Sequence, residues 1–185
     1  MTETRYLLDS NIFIEASRRY YHFDICPAFW RFLIDFSHFD KVFSIDRVRS
    51  ELIPKSGKVN GEDEDQLVLW IQDKAPETMF KNCSDMLVTE AYSKIVQSVT
   101  GNSQYYGHAK AEFADVADSW LIAYALAHEM TVVTHEGNSR DAKKRILIPV
   151  VCEQFNIPCI TLFEMLLQMR VKFWPYSIVS TGIFE

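Results

Sequence analysis

Short β-rich runs alternate with helical patterns along this chain. The clearest runs lie at residues 5–9, 41–45 and 131–134, and helical patterns occupy most of the chain between them. Residues 146–149 also read as an extended segment, and residues 114–127 read as one buried helix. Parallel neighbouring strands need crossover connections, and these are usually helical. The alternation therefore predicts an α/β fold, a three-layer α/β/α sandwich with a central, mainly parallel sheet. In such a sheet the functional crevice lies beyond the carboxyl ends of the strands.

The length of 185 residues suits one domain with a sizeable core. We predict a single domain over 1–185, with a helical insertion at about 55–112 and a C-terminal tail from about 171. The longest apolar run, at 120–127, is far shorter than the roughly 20 residues that cross a bilayer. The N-terminus also lacks the basic segment and long apolar core of a secretory signal. We expect a cytoplasmic protein that does not span a membrane.

The net charge argues against a basic protein that coats nucleic acid, and the cysteine spacing argues against zinc-knuckle and redox motifs. A formal net charge of −6 is unlike that of a basic protein that coats nucleic acid. An acidic protein that acts on nucleic acid needs cations at a local acid cluster, or a basic strip that the net charge conceals. The four cysteines form no C-x-x-C pair, so neither a zinc knuckle nor a redox motif is indicated.

Four acidic residues fall along one predicted edge of the sheet. Asp9 ends the first β-rich run, and Glu136 stands just past the run at 131–134. Asp118 lies in the first turn of a strongly apolar helical stretch, on the same face as apolar residues four and seven positions later. Glu51 lies in the short helical pattern after the second run, from which it can reach the same edge. The order of the chain thus predicts an acidic cluster at this edge.

Like charges in a partly desolvated crevice raise one another's pKa and cost stability, and a divalent cation relieves that cost. Oxygen ligands without histidine or cysteine favour Mg²⁺ or Mn²⁺. Each acid also has a purely structural interpretation. Asp9 and Asp118 can stabilise the N-termini of helices, Glu51 can be solvated, and Glu136 can belong to a turn.

The segments that carry these acids resemble the motifs of PIN domains, in the order of that family. YLLDSNIFI at 6–14 resembles the opening strand, VRSEL at 48–52 the second acidic motif, and ADSWLIA at 117–123 the third. VVTHE at 132–136 is similar to the fourth, where the acid is often aspartate and here is glutamate. The resemblance covers about residues 5–165 and is closest to a bacterial VapC-like branch with a segment like FDICPAFW at 23–30.

This resemblance implies a Mg²⁺- or Mn²⁺-dependent endoribonuclease that acts as the toxin of a bacterial toxin–antitoxin pair, with RNA as substrate and a protein antitoxin as partner. A homodimer is compatible with it. The implied catalytic and metal-binding residues are Asp9, Glu51, Asp118 and Glu136, and the auxiliary residues are Ser10, Asn11 and Asp115. In this interpretation Asp9 and Asp118 bind one cation, and the two glutamates complete or adjust the site directly or through water.

Two basic clusters are candidates for RNA phosphate contacts. Lys143, Lys144 and Arg145 follow the fourth acid closely, while Arg18 and Arg19 precede two tyrosines and can combine charge with base stacking. An ordinary solvated run of charges is the structural alternative for either cluster.

Two other functions compete with the nuclease. A non-catalytic PIN-like module that binds nucleic acid or protein in a regulatory role has the same fold but organises no metal. An aspartyl-phosphate phosphatase also places aspartate at the end of its first strand, but it usually has a second aspartate two residues later. Asn11 occupies that place here, which argues against the phosphatase.

Overall fold

Five short parallel strands form the centre of the molecule. The computed structural model describes residues 4–53 and 65–173. Its strands are β1 (Tyr6–Leu8), β2 (Val42–Ile45), β3 (Phe80–Lys81), β4 (Thr131–Val133) and β5 (Cys159–Ile160). They lie in the order β3-β2-β1-β4-β5, and each neighbouring pair is parallel. The predicted parallel sheet is confirmed.

Helices flank this sheet. They are α1 (Ser10–Glu15), α2 (Pro27–His38), α3 (Asp46–Leu52), α4 (Gln66–Asp73), α5 (Met86–Gly101), α6 (Gly107–Asp115), α7 (Ala117–His128), α8 (Ile148–Gln154) and α9 (Leu162–Gln168). A π-helical turn (Ala16–Tyr20) continues α1, and a 3₁₀ turn (Glu77–Met79) precedes β3. The predicted three-layer α/β/α sandwich is therefore confirmed as the fold class.

The strand order places a topological switch point between β1 and β4. From β1 the chain moves outward to β2 and β3, and it then crosses to the other side of β1 to form β4 and β5. Leu8 pairs with Val133, and the next N–H along β1, that of Asp9, donates to the Val133 carbonyl at 3.0 Å. Ligand crevices in open α/β sheets lie at such a point, beyond the carboxyl ends of the strands.

The sheet is buried on both faces. Every residue of β1, β2 and β4 is buried, as expected for parallel strands covered by helices on each side. The polar exception inside β2 is Ser44, whose hydroxyl donates to the Leu8 carbonyl at 2.7 Å. This contact ties β2 to the end of β1, where the first acid begins.

Two details of the predicted secondary structure were wrong. Residues 146–149 read as an extended segment, but Ile148 and Pro149 form the first turn of α8, a position that suits proline because its missing N–H has no helical partner there. The apolar stretch at 114–127 read as one helix. It is divided by Val116, whose extended backbone (φ −83°, ψ 167°) ends α6 and begins α7.

Some predicted features lie outside the described residues. These are the first part of the insertion at about 55–112 and the part of the tail beyond residue 173. Among residues 4–53 and 65–173, no helix combines the length and apolar character that crossing a membrane requires.

Candidate active site

The acidic cluster lies at the switch point, beginning with Asp9. This residue is 3% exposed and forms the N-cap of α1. Its Oδ1 accepts from the Ser10 N–H at 2.6 Å, and its Oδ2 accepts from the Thr134 hydroxyl at 2.9 Å. Burial above all, and then the charge of Glu136, raises the pKa of Asp9 to about 6, although the hydrogen bonds from Thr134 and Ser10 lower it.

Thr134 is the polar centre of this edge, and sequence reasoning missed it. Besides donating to Asp9, its Oγ1 accepts from Asn11 Nδ2 at 3.0 Å and from the Glu136 N–H at 3.1 Å. Asn11 Oδ1 in turn accepts from the His135 N–H at 3.1 Å. A hydroxyl residue that closes an apolar strand just before an acid was the available signal. Asn11 thus joins the start of α1 to the segment after β4, as an auxiliary residue would.

Asp118, the second residue of α7, has fewer compensating contacts than the other acids of the cluster. No residue in the described part of the chain donates a hydrogen bond to its carboxylate. Burial, together with the charges of Asp9, Glu136 and Glu51, raises the pKa of Asp118 to about 7, and Arg145 opposes that rise. The charges of the other three predicted acids therefore all act on Asp118.

Glu51 reaches the cluster from the last turn of α3. Its Oε1 accepts from the Ala117 N–H at 2.8 Å, at the first residue of α7. Within the described structure, the N-cap residue Val116 supplies no side-chain cap for that helix. Glu51 therefore caps α7 from another helix and sets the position of Asp118, one residue further along.

Glu136 is held on both of its oxygens. Oε1 pairs with the Arg145 guanidinium, and Oε2 accepts from the Ile148 N–H at 2.8 Å, at the start of α8. The Glu136 side chain is 7% exposed, whereas that of Arg145 is 65% exposed. The fourth acid is thus partly neutralised by a cation from the predicted RNA-binding run.

The other members of the basic clusters lie on the surface. Lys143 and Lys144 are exposed, and the Lys143 carbonyl accepts from the Tyr106 N–H. Arg18 and Arg19 are exposed on the π-helical turn, where Arg19 pairs with Glu15 at 3.1 Å. These positions suit contact with a ligand from solvent.

Asp115 and Ser10 differ in their relation to the cluster. Ser10 contacts Asp9 directly through its N–H. Asp115 is exposed at the end of α6, and no described contact ties it to the four acids. Of the two predicted auxiliary residues, Ser10 therefore contacts the acidic cluster, and Asp115 has no described contact with it.

A small cavity opens beside Asp118. Its volume is about 70 Å³, and it is lined by the charged residues Asp118, Glu112 and Arg145 and by apolar residues that include Phe113 and Ile146. A cavity of this size holds a few water molecules. Opposite charges therefore face a small polar space next to the acidic cluster.

The donor set of the cluster fits a hard divalent cation. The donors are carboxylate oxygens, and the Asp118 carboxylate combines partial burial with strong repulsion from its neighbours. In the described residues, no three His, Cys, Asp or Glu side chains converge closely enough to hold an ion as they stand. In the described part of the chain, the carboxylates therefore do not form a complete ligand set as they stand.

Comparison with known proteins places the chain in a family. A family model described as a domain of unknown function (DUF4411) matches residues 6–173. No curated protein and no solved structure matches the chain. The matched segment contains all four carboxylates and every strand of the sheet.

Proposed function

The chain belongs to the DUF4411 family, and we propose that it is a Mg²⁺- or Mn²⁺-dependent endoribonuclease that hydrolyses RNA phosphodiester bonds. The observation that carries the proposal is the state of Asp118. Its carboxylate lies at the switch point of a parallel sheet, receives no hydrogen bond from the described residues, and is repelled by three other acids. Such an arrangement costs stability in the absence of a cation.

Asp9 and Asp118 would hold the cation. When bound, a divalent cation activates water for attack on a phosphodiester and stabilises charge on the leaving oxygen. Ser10 and Thr134 orient the Asp9 carboxylate by hydrogen bonds, and Glu51 positions Asp118 by capping α7. These supporting contacts keep the two aspartates in place on rigid elements.

Glu136 and Arg145 would act as a pair. Glu136 is fixed by the start of α8 and holds Arg145 at the cavity beside Asp118. Much of the Arg145 side chain remains exposed, so its free N–H groups are open to a phosphate oxygen. The pair thus offers a positive group next to a site whose other charges are negative.

Net charge is consistent with this function. The four acids account for four of the six net negative charges of the chain. One or two bound divalent ions would largely neutralise the site and allow an RNA strand to approach. Lys143, Lys144, Arg18 and Arg19 are exposed and would contact its phosphates.

The resemblance to VapC-like PIN proteins supports a biological role as the toxin of a toxin–antitoxin pair. In that role the protein acts in the cytoplasm and is held in check by a protein antitoxin. Expression without the inhibitor is expected to slow bacterial growth. Expression of Asp118→Asn at the same level is expected to leave growth unaffected.

One observation favours the second candidate, a non-catalytic PIN-like binding module. Both oxygens of Glu136 are already engaged, by Arg145 and by the Ile148 N–H. A module of this kind would bind RNA or protein at the same edge without hydrolysis, and its binding would not depend on Asp118.

A cleavage assay separates the two candidates. Wild type, Asp118→Asn and the control Asp73→Asn are incubated with a mixed RNA pool in Mn²⁺ or Mg²⁺, and in EDTA. Asp73 is exposed at the end of α4, so its substitution removes the same charge away from the cluster. We expect internal cleavage by wild type and the control, and a loss of about 100-fold or more in Asp118→Asn. Equal cleavage by Asp118→Asn, or none by folded wild type, would refute the nuclease.

A further inference from the structure

Three aromatic rings from separate parts of the chain meet beside the acidic cluster. Tyr20 ends the π-helical turn, His135 follows β4, and Phe163 lies in the first turn of α9. The centroid of the Tyr20 ring lies 5.6 Å from that of His135 and 5.7 Å from that of Phe163. The centroids of His135 and Phe163 are 6.0 Å apart. We call this group the ring cluster.

The two large rings of the cluster face solvent. Tyr20 is 48% exposed and Phe163 is 46% exposed, although most aromatic residues in the described part of the chain are buried or partly buried. Tyr21, the neighbour of Tyr20, shows the contrast, because it stacks on the buried Phe29 at 4.3 Å. Exposed aromatic surface next to a candidate active site is a common mark of ligand contact.

The ring cluster is fixed to the site by the backbone. The His135 N–H donates to Asn11, and the residues on either side of His135 are Thr134, which binds Asp9, and Glu136. On the other side, a capping box between Thr161 and Glu164 sets the start of α9 and hence the position of Phe163. The rings and the carboxylates therefore belong to one rigid edge of the sheet.

Positive charge lies on the same segment as one of the rings. Arg18 and Arg19 directly precede Tyr20 and are exposed. Grooves that bind single strands combine cations that follow the phosphates with aromatic rings on which bases stack. Paired bases hide their faces in the duplex, whereas unpaired bases expose them.

We propose that the ring cluster binds an unpaired nucleobase of an RNA strand, with Arg18 and Arg19 contacting the adjoining phosphates. The inference rests on the proposed function and deepens it, since it identifies the substrate as single-stranded or looped RNA. Tyr20 and Phe163 supply the stacking surface, and the His135 ring contacts both of them. The stacked base holds the strand next to Asp9 and Asp118.

Binding is measured by fluorescence anisotropy in EDTA, and again with Ca²⁺ in place of Mg²⁺. The probes are a labelled mixed-sequence RNA of about 12 nucleotides, the same RNA in a perfect duplex, and a version that lacks several bases. Because these conditions are chosen to prevent hydrolysis, the result does not depend on the nuclease activity.

Wild type is expected to bind the intact single strand more tightly than the duplex or the abasic RNA. Tyr20→Ala and Phe163→Ala are each expected to weaken binding of the single strand by about fivefold or more, and Tyr20→Phe to preserve it. The matched control is Phe39→Ala, which removes a 69% exposed ring that lines a cavity with the first residue of β4 and the segment before β1. Its affinity is expected to equal that of wild type.

Several results would overturn the inference. One is equal affinity of wild type for the intact and the abasic RNA, a comparison that needs no variant to fold. Another is unchanged binding by both alanine variants. A third is a wild-type oligomer that Phe163→Ala dissociates in sedimentation, which would assign the rings, with the 77% exposed Leu167, to a contact between copies.

The outcome is independent of the cleavage assay. Ring-dependent binding without any cleavage would refute the nuclease and retain the base site. Cleavage that Tyr20→Ala and Phe163→Ala leave unchanged, with unchanged binding, would refute the base site alone.

Discussion

The Thr134 hydroxyl donates a 2.9 Å hydrogen bond to Asp9 Oδ2, across 125 residues of chain. The same oxygen accepts from Asn11 and from the Glu136 N–H, so one donor and two acceptor positions of the hydroxyl are all used. The bond joins the carboxyl ends of β1 and β4 at the switch point. It holds the most buried acid of the site in one orientation.

Thr134→Val keeps the shape of this side chain and removes the hydroxyl. We expect the free energy of unfolding to fall by about 1–3 kcal/mol, because the buried Asp9 carboxylate and the Asn11 amide each lose a partner. Chemical denaturation measures the change. Thr134→Ser retains the hydroxyl and is expected to lose less. A Thr134→Val protein as stable as wild type would show that the bond does not hold Asp9.

The raised pKa of Asp118, about 7, gives stability a defined pH dependence. In the unfolded chain this carboxyl ionises near its ordinary pKa of about 4, so the native state binds more protons between pH 4 and 7. Its contribution to stability is present below pH 4 and is lost as the pH rises through 7. Asn at this position carries no charge at any pH.

We therefore expect Asp118→Asn to match wild type only below about pH 4 without divalent cations, and its advantage in the free energy of unfolding to grow by about 2–4 kcal/mol between pH 5 and pH 8. Taking the difference between the two proteins removes the contribution of other groups, such as His135, whose burial lowers its pKa. The difference between Asp73→Asn and wild type is expected to be the same at both pH values. A constant difference for Asp118→Asn as well would contradict the pKa assignment.

Substitution separates the observed capping role of Glu51 from its proposed part in cation binding. Glu51→Gln keeps an oxygen for the Ala117 N–H, whereas Glu51→Ala removes the cap of α7. We expect the alanine variant to lose about 1 kcal/mol of stability and the glutamine variant to lose little. Both are expected to show a smaller rise in Tm with Mn²⁺ than wild type. If glutamine retained the full Mn²⁺ response, Glu51 would be a structural cap with no part in cation binding.

The basic run after Glu136 is expected to divide into two functions. The double variant Lys143→Gln/Lys144→Gln should weaken RNA binding and make the slope of log K against log salt concentration shallower by about 1–2. It should leave the rise in Tm with Mn²⁺ unchanged. Arg145→Gln should in addition lower stability at pH 8, because it removes the partner of Glu136 and the positive charge near Asp118. Arg31→Gln, an exposed change on α2, is the control. An unchanged salt slope in the double variant would show that Lys143 and Lys144 are ordinary solvated residues that do not contact RNA.

The sheet and the edge that carries the site follow from local patterns in the sequence. Apolar runs that stop at Asp9 and just before Glu136 reveal both the strands and the ends that matter, because helices cover both faces of the sheet. The contacts that organise the site do not follow from local patterns. Glu51 caps a helix 66 residues away, and Thr134 reads as an ordinary β-branched strand residue.

Two local features also depended on tertiary context. Val116 is flanked by good helix formers, yet its extended backbone divides the predicted helix and gives α7 a new N-terminus for Glu51 to cap. Residues 146–149 are apolar and β-branched in part, yet Ile148 starts α8, where its N–H binds Glu136. In both places a glutamate from elsewhere in the chain accepts a hydrogen bond from an N–H group at the helix start. The local sequence around each helix start does not reveal this partner.

Calorimetric titration of Mn²⁺ tests the central claim most directly. At pH 7.5, wild type and the exposed-charge control Asp73→Asn are expected to bind the cation with measurable heat, while Asp118→Asn loses most of that binding and Asp9→Asn loses it likewise. Such a result would place the cation at the carboxylates of the switch point. No heat from folded wild type up to millimolar Mn²⁺, or equal binding by Asp118→Asn, would contradict the account.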